Sequence, residues 1–338
     1  MPSLTINGRV SYADLLPAEN VRVKIKDLDL GPGGSHDQIF NKLTSTDGKF
    51  SGSSTEWQDR EGVVDTFLGP VNIPDVLNLQ FEVVDGAQNH QGAFVRVGNG
   101  SLPIVLPPNY SKPVEKAARD IIQVVHLVQN DYTPAEKLLY GFIEAGSAAA
   151  VSSCLGNDYR QLHLLDGADA TLAKLKDKLM QVGSRAATKA IDLVFCTHGH
   201  TSRVVFADGK KKMEDVLGVL DDIPQSTRNK FRMVFSTACF GNTHADIWQE
   251  AGFACVSGSE GIYADSEASL LPFLQSWESS KSFREAVRNA NAADIGNVAD
   301  NAAKLYYIAQ GRTADANDIN SNRIISGNGN LRIYSKPR

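Results

Sequence analysis

From about residue 135 onward the sequence alternates short apolar runs with stretches of helical spacing, and this alternation constrains the fold more than any other feature. Leu138–Ile143, Leu162–Leu165, Ile191–Thr197, Phe231–Ser236 and Phe253–Ser257 read as strands. Between them, Ala170–Gln181 carries Leu172, Leu175 and Leu179 on one face, and further helical stretches fall near Met213–Leu220 and His244–Ala251. Two long helical stretches follow the last strand. Apolar runs without polar alternation suit strands covered on both faces, so the expected fold is α/β, a mainly parallel sheet flanked by helices. In such sheets the chemistry sits beyond the carboxyl ends of the strands.

The first hundred residues follow a different grammar. Leu4–Val10, Val21–Ile25 and Leu79–Val84 alternate apolar with polar residues, and Asp29–Ser35 and Thr46–Gly48 carry turn residues. Several short strands at this spacing predict a small all-β sandwich domain over residues 1–108. The stretches Asn7-Gly8-Arg9-Val10, Val21-Arg22-Val23-Lys24 and Thr46-Asp47-Gly48-Lys49-Phe50 resemble transthyretin-like domains. That resemblance implies a role in binding a protein partner or recruiting substrate rather than in a reaction. Pro103, Pro107, Pro108 and Pro113 mark a linker. Val114, Ala117, Ile121, Val124 and Val125 then predict a helix ending near Gln129, so residues 109–134 read as linker and helix. The α/β domain is expected over 135–338.

Bulk properties narrow the partners. A net charge of -5 over 338 residues gives none of the basic footprint that nucleic acid requires. No run of 18 apolar residues is present, and the N-terminus has neither basic nor apolar leader features, so no membrane partner is expected. Cys154, Cys196, Cys239 and Cys255 fall in no CxxC spacing, which predicts reduced thiols and a cytoplasmic setting. No cofactor is expected.

Two strand ends carry the chemistry. Ile191–Thr197 runs into His198-Gly199-His200, and Phe231–Thr237 runs into Ala238-Cys239-Phe240-Gly241. Across the top of a parallel sheet, an imidazole and a thiol placed in this way would face each other. Glycines soon after them would let a substrate backbone approach closely. A free thiol is only a few per cent thiolate at neutral pH. Its activation needs a nearby cation, which His198 would supply, or a helix N-terminus. Asn242 or Thr243 is a candidate cap for such a helix, with Asp246 three residues after Thr243. The N–H groups of Gly199 and Cys239 are candidate oxyanion donors.

An apolar strand ending in His-Gly, followed by one ending in Ala-Cys with glycine soon after, resembles the caspase-like (clan CD) cysteine peptidases. Ser236-Thr237-Ala238-Cys239 is most similar to the CHAT style within that group. The resemblance covers residues 135–338 and implies a cysteine endopeptidase, with Cys239 as nucleophile and His198 as proton donor to the leaving amine. The alternative is a catalytically silent scaffold of the same fold. Where metacaspases and clostripain-like enzymes carry an acid two residues before the cysteine, this chain has Thr237. In the same group, the end of the first strand and the strand end at Ser257-Gly258 border the substrate cleft. Glu144, Ser257, Gly258 and Glu260 are therefore the expected substrate-binding residues. The two carboxylates would favour Lys or Arg on the acyl side of the cut bond.

Other readings of these residues are weaker. His198-Gly199-His200 has the form of an HxH metal motif, but no Asp-His pair follows and no metal site is expected. Ser257–Gly261 is glycine-rich without the Gly-Lys-Ser/Thr ending of a phosphate loop. Cys154, Cys196 and Cys255 read as inert core or structural thiols.

Overall fold

The structure, a computed structural model, describes residues 4–12, 17–27, 38–54, 62–66, 69–73, 77–85, 88–96, 100–106, 113–263, 266–293 and 298–337. The expected loop at Asp29–Ser35 and the linker prolines Pro107 and Pro108 lie outside these residues. The chain divides into two units, Met1–Lys112 and Pro113–Arg338.

Among its described residues, the first unit consists of strands. β1 (Leu4–Ser11) lies between β4 (Lys49–Ser54) and β9 (Gly100–Val105). β2 (Arg22–Asp27), β3 (Gln38–Leu43), β7 (Leu77–Asp85) and β8 (Gln88–Arg96) form a four-stranded sheet in the order β3-β2-β7-β8. A hairpin of β5 (Gly62–Thr66) and β6 (Gly69–Ile73) completes the set. Ile6, Val10, Val21, Val23, Ile25, Phe50, Val83 and Ile104 form one buried cluster. At the turn into β4, Gly48 has φ +75°, a conformation that disfavours any residue with a Cβ.

The second unit is mixed α/β and built on a six-stranded, mostly parallel sheet. Its strands are β10 (Arg119–His126), β11 (Gln161–Asp166), β12 (Ala190–Thr197), β16 (Phe231–Ser236), β17 (Cys255–Ser259) and β18 (Arg323–Gly327). They are ordered β11-β10-β12-β16-β17-β18, with only β18 antiparallel to its neighbour. A small antiparallel sheet of β13 (Gly199–His200), β14 (Arg203–Phe206) and β15 (Gly209–Lys212) follows β12 directly. The helices are α1 (Pro134–Leu155), α2 (Leu172–Gly183), α3 (Met213–Asp221), α4 (Gln225–Arg228) and α5 (Ala245–Glu250). After β17 come α6 (Ser266–Glu278), α7 (Phe283–Asn291), α8 (Val298–Ala309) and α9 (Thr313–Asn317).

Two sequence expectations are overturned here. The segment from Val114 to Gln129 is not a helix: after a short 3-10 turn at Lys116–Ala118 it forms β10, a central strand between β11 and β12. Its run of Ile121, Ile122, Val124 and Val125 is β-branched, which suits a strand buried on both faces better than a helix. Conversely, Leu138–Ile143 is not a strand but the second and third turns of α1. Thr133 caps that helix through a reciprocal capping box with Glu136, and Pro134 occupies the first helical position. By length and composition α1 would suffice to cross a membrane; 22% of its apolar window is buried, and its contacts within the unit include β10 and α6.

Two apolar layers sandwich the main sheet. One joins Ile122, Leu193, Phe195, Phe231 and Val234 to α2, α3 and Trp248 of α5. The other joins Val125, Val194, Phe235 and Met233 to Phe273, Trp277 and Phe283 of α6 and α7. Full burial of each such aromatic contributes about 1.5–3 kcal/mol. Beneath the second layer, Arg232 forms a two-pronged ion pair with Asp192, and both side chains are fully buried. The same carboxylate accepts the Tyr159 hydroxyl.

Candidate functional site

The two strand ends picked out by sequence open onto one cavity of about 630 Å³. Its lining includes both His198 and Cys239. β12 is buried over its whole length, so the chain emerges from the sheet only at His198. β16 is likewise buried, and the thiol comes three residues after its end. The turn after Cys239 is tight: Phe240 sits in the left-handed region at φ +54°, and its N–H donates to Gly261 O at 2.8 Å. For a bulky residue that conformation costs about 1–2 kcal/mol.

The His and Cys loops touch through backbone. A Cβ added at Gly199 would lie 2.6 Å from Cys239 O and 2.8 Å from Ala238 Cβ, so only glycine allows this approach. The backbone N–H groups of Tyr263, Cys239 and Gly199 all act on the Cys239 sulfur, Tyr263 N donating to Sγ at 3.3 Å. Burial pushes the Cys239 thiol pKa up, and these three N–H groups oppose that rise. The expected side-chain cap is absent. Thr243 Oγ1 instead donates to Phe240 O and accepts from Ser202 N, while α5 begins after a 3-10 turn at Gly241–His244 without a capping side chain. In the free protein burial, and not a capped helix N-terminus, is the largest influence on this thiol.

His198 is held by the end of β10. Its Nε2 lies 2.8 Å from Leu127 O and 3.0 Å from the Tyr132 hydroxyl. A carbonyl only accepts, so Nε2 carries the proton and Nδ1 is left as the basic nitrogen. Tyr140 packs edge-on to the ring, with centroids 5.0 Å apart, and stacks on Tyr132. Burial lowers the His198 pKa; the bond to Leu127 opposes that and nearby His126 adds to it. Sequence reasoning missed Tyr132 and Tyr140, because their approach depends on the helix that the capping signal Thr133-Pro134-Ala135-Glu136 announces.

The remaining walls carry charge of both signs. His200, Arg203 and Lys210 come from the small sheet, Glu136 and Asp315 from α1 and α9, and Asp318 from the residue after α9. Arg312 lies over the Tyr307 ring at 4.4 Å and pairs with Asp315 at 2.7 Å. The four expected substrate-binding residues sit elsewhere. Glu144 lies within α1, and its carboxylate accepts from the N–H groups of Leu127 and Val128 at 2.6 and 3.0 Å. Ser257 is fully buried beneath Arg323, whose Nε donates to its hydroxyl at 3.2 Å. Gly258 backs onto Gly241 so closely that a Cβ would fall 2.2 Å from the Gly241 carbonyl carbon. Glu260 accepts from Asn320 and Asn322. None of the four lines the cavity. Among the described residues no group of three or more His, Cys, Asp or Glu could hold a metal ion.

Burial also sets an acid limit on stability. His126, His198 and His244 all have pKa values lowered by burial from 6.5. In the unfolded chain these imidazoles take up protons near pH 6.5, while in the folded chain they do so only at lower pH. Their contribution is complete above about pH 7 and is lost as pH falls through 6.5 toward the lowered folded values. Urea midpoints measured from pH 7.5 to 5 should therefore fall steadily. A midpoint that rises toward pH 5 contradicts this account.

No family model matches the chain, and no curated protein matches it. Among solved structures, the dioxygenase domain of a dioxygenase and carbohydrate-binding protein fusion from Streptomyces sp. SirexAA-E is similar at 16% identity and a TM-score of 0.21. The match covers 31% of this chain and 79% of that one. Transthyretin from Sparus aurata is similar at 13% identity and a TM-score of 0.20, over 30% of this chain and 88% of that one. Likenesses of this size carry no argument about fold or activity.

Proposed function

We propose that the second unit is a caspase-like cysteine endopeptidase, with Cys239 as nucleophile and His198 as its acid–base partner. The observation that carries this reading is the shared cleft: imidazole and thiol line one cavity, at the carboxyl ends of adjacent parallel strands, with Gly199 backbone against Cys239 backbone. In the reaction, Nδ1 of His198 takes the thiol proton as Sγ attacks the scissile carbonyl. Proton return from the imidazolium to the leaving amine frees the first product, and water attacks the thioester that remains. The N–H groups of Gly199 and Cys239, which in the free protein act on the sulfur, are the donors for the oxyanion. Burial raises the thiol pKa and lowers the imidazole pKa, so both shifts oppose proton transfer before substrate binds.

The first unit is proposed as a sandwich domain that recruits a protein partner or substrate. Its support is the single apolar cluster drawn from two of its sheets.

Irreversible labelling tests the assignment directly. A peptidyl ketone presented on a positional-scanning library should modify Cys239 selectively, and matched fluorogenic peptides should be cleaved. Cys154, Cys196 and Cys255 are buried and do not line the cavity, whereas Cys239 does, so the reagent should reach Cys239 first. Modification of Cys154 or Cys255 ahead of Cys239, or no cleavage of any library member, would overturn the proposal.

A further inference from the structure

We infer that Glu144 is a positioning residue for His198, acting through the single peptide group that joins Leu127 to Val128. This rests on the peptidase reading above for its catalytic consequence, though not for its geometry. The amide has two ends. Its carbonyl, Leu127 O, accepts the Nε2–H of His198 at 2.8 Å. Its N–H, on Val128, donates to Glu144 Oε1 at 3.0 Å, and the same oxygen accepts Leu127 N at 2.6 Å. Carboxylate, peptide and imidazole therefore form one chain of hydrogen bonds.

Such a chain is cooperative. A carboxylate accepting from the N–H of an amide polarises it, which makes its carbonyl a stronger acceptor. The Nε2–H tautomer of His198 is thereby fixed. When Nδ1 takes the thiol proton, the new positive charge is met by a fixed negative charge one peptide away. No proton crosses the peptide; only the strengths of the two bonds change. The arrangement also follows from the fold. The ladder of β10 with β11 ends at Val125 and that with β12 at His126, so the N–H groups of Leu127 and Val128 have no strand to pair with. α1 crosses here and supplies an acceptor from its third turn.

Other groups near the imidazole act in both directions. His126 at the end of β10 and Lys210 on β15 disfavour the imidazolium, whereas Glu144 favours it. Tyr132 and Tyr140 pack against the ring, and Cys239 lines the same cavity. A role limited to capping the strand end would affect stability and leave the ring alone, so the test reads the ring.

The experiment follows the His198 ring by nitrogen NMR on histidine-labelled full-length protein, together with the rate of Cys239 alkylation by iodoacetamide against pH. In Glu144→Gln, where the amide oxygen can still accept both N–H groups but the charge is gone, the His198 pKa should fall. Alkylation at pH 7 should slow roughly tenfold, the difference expected between a charge-assisted and a neutral bond. Unchanged ring titration and alkylation in this variant overturn the inference. If Glu144→Gln does not fold, wild-type protein still decides: the Val128 amide resonance must shift with the same midpoint as the His198 ring, and an amide that ignores that titration overturns it. Neither readout needs a peptide substrate. Coupling in a protein that cleaves nothing keeps the relay and removes the peptidase, while cleavage without coupling does the reverse.

Discussion

Replacing Cys239 with alanine should reduce peptide hydrolysis to background, a loss on the order of 10⁴-fold or more. Alanine removes the atom that forms the acyl-enzyme, and no other thiol lines the cavity. Folding should hardly change, because Cys239 belongs to neither apolar layer and keeps part of its surface in the cleft. The bonds lost with the sulfur are weak ones, chiefly that from Tyr263 N at 3.3 Å. His198→Ala should cost nearly as much, since nucleophile and base act as a unit. Cys196→Ala and Cys255→Ala are the controls: both thiols are fully buried in strands, so stability should fall by about 1 kcal/mol while turnover stays. Turnover by Cys239→Ala at the wild-type rate, measured on the same peptides, would remove the proposed mechanism.

The legible parts of this molecule were those where one signal dominated. β12 and β16 are continuous apolar runs with a reactive residue just beyond the end, and nothing else competes for that pattern. The errors arose where two signals overlapped. Ile121, Val124 and Val125 fit a helical stripe by spacing and a buried strand by side-chain shape, and burial on both faces decided for the strand. Leu138–Ile143 looks like a strand alone, yet the capping box five residues earlier already commits the segment to helix. One swap caused the other, because a first strand had to exist somewhere before β11. The misplacement of Glu144 follows from it. Read as a strand end it faces the substrate; read on α1 it reaches the backbone that holds His198. Ser257 and Gly258 failed for a different reason. Both lie inside β17, which runs on to Ser259, and Arg323 from β18 and Gly241 from the Cys loop cover them; no local pattern announces contacts so far apart in sequence.

The second large effect lies at the far end of the same strands. Asp192→Ala should destabilise the second unit by about 3–5 kcal/mol, because it leaves the fully buried Arg232 guanidinium without its carboxylate. The surroundings cannot compensate. Arg232 Nη1 already donates to the carbonyls of Ile333 and Ser335, and Nε and Nη2 are both committed to Asp192. The Tyr159 hydroxyl, which donates to Asp192 and accepts from Trp277 Nε1 at 2.8 Å, would lose its acceptor as well. For a unit of this size such a loss lowers the melting temperature by roughly 10 °C or more. A paired change separates charge from packing: Asp192→Leu together with Arg232→Met removes both ions and should recover much of the stability. If Asp192→Ala melts within about 2 °C of wild type, water reaches Arg232 and the network is not sealed as described. If the double variant is no better than the single, the loss comes from the Ile333 and Ser335 contacts that tie the C-terminal segment to the sheet, and not from the unpaired charge.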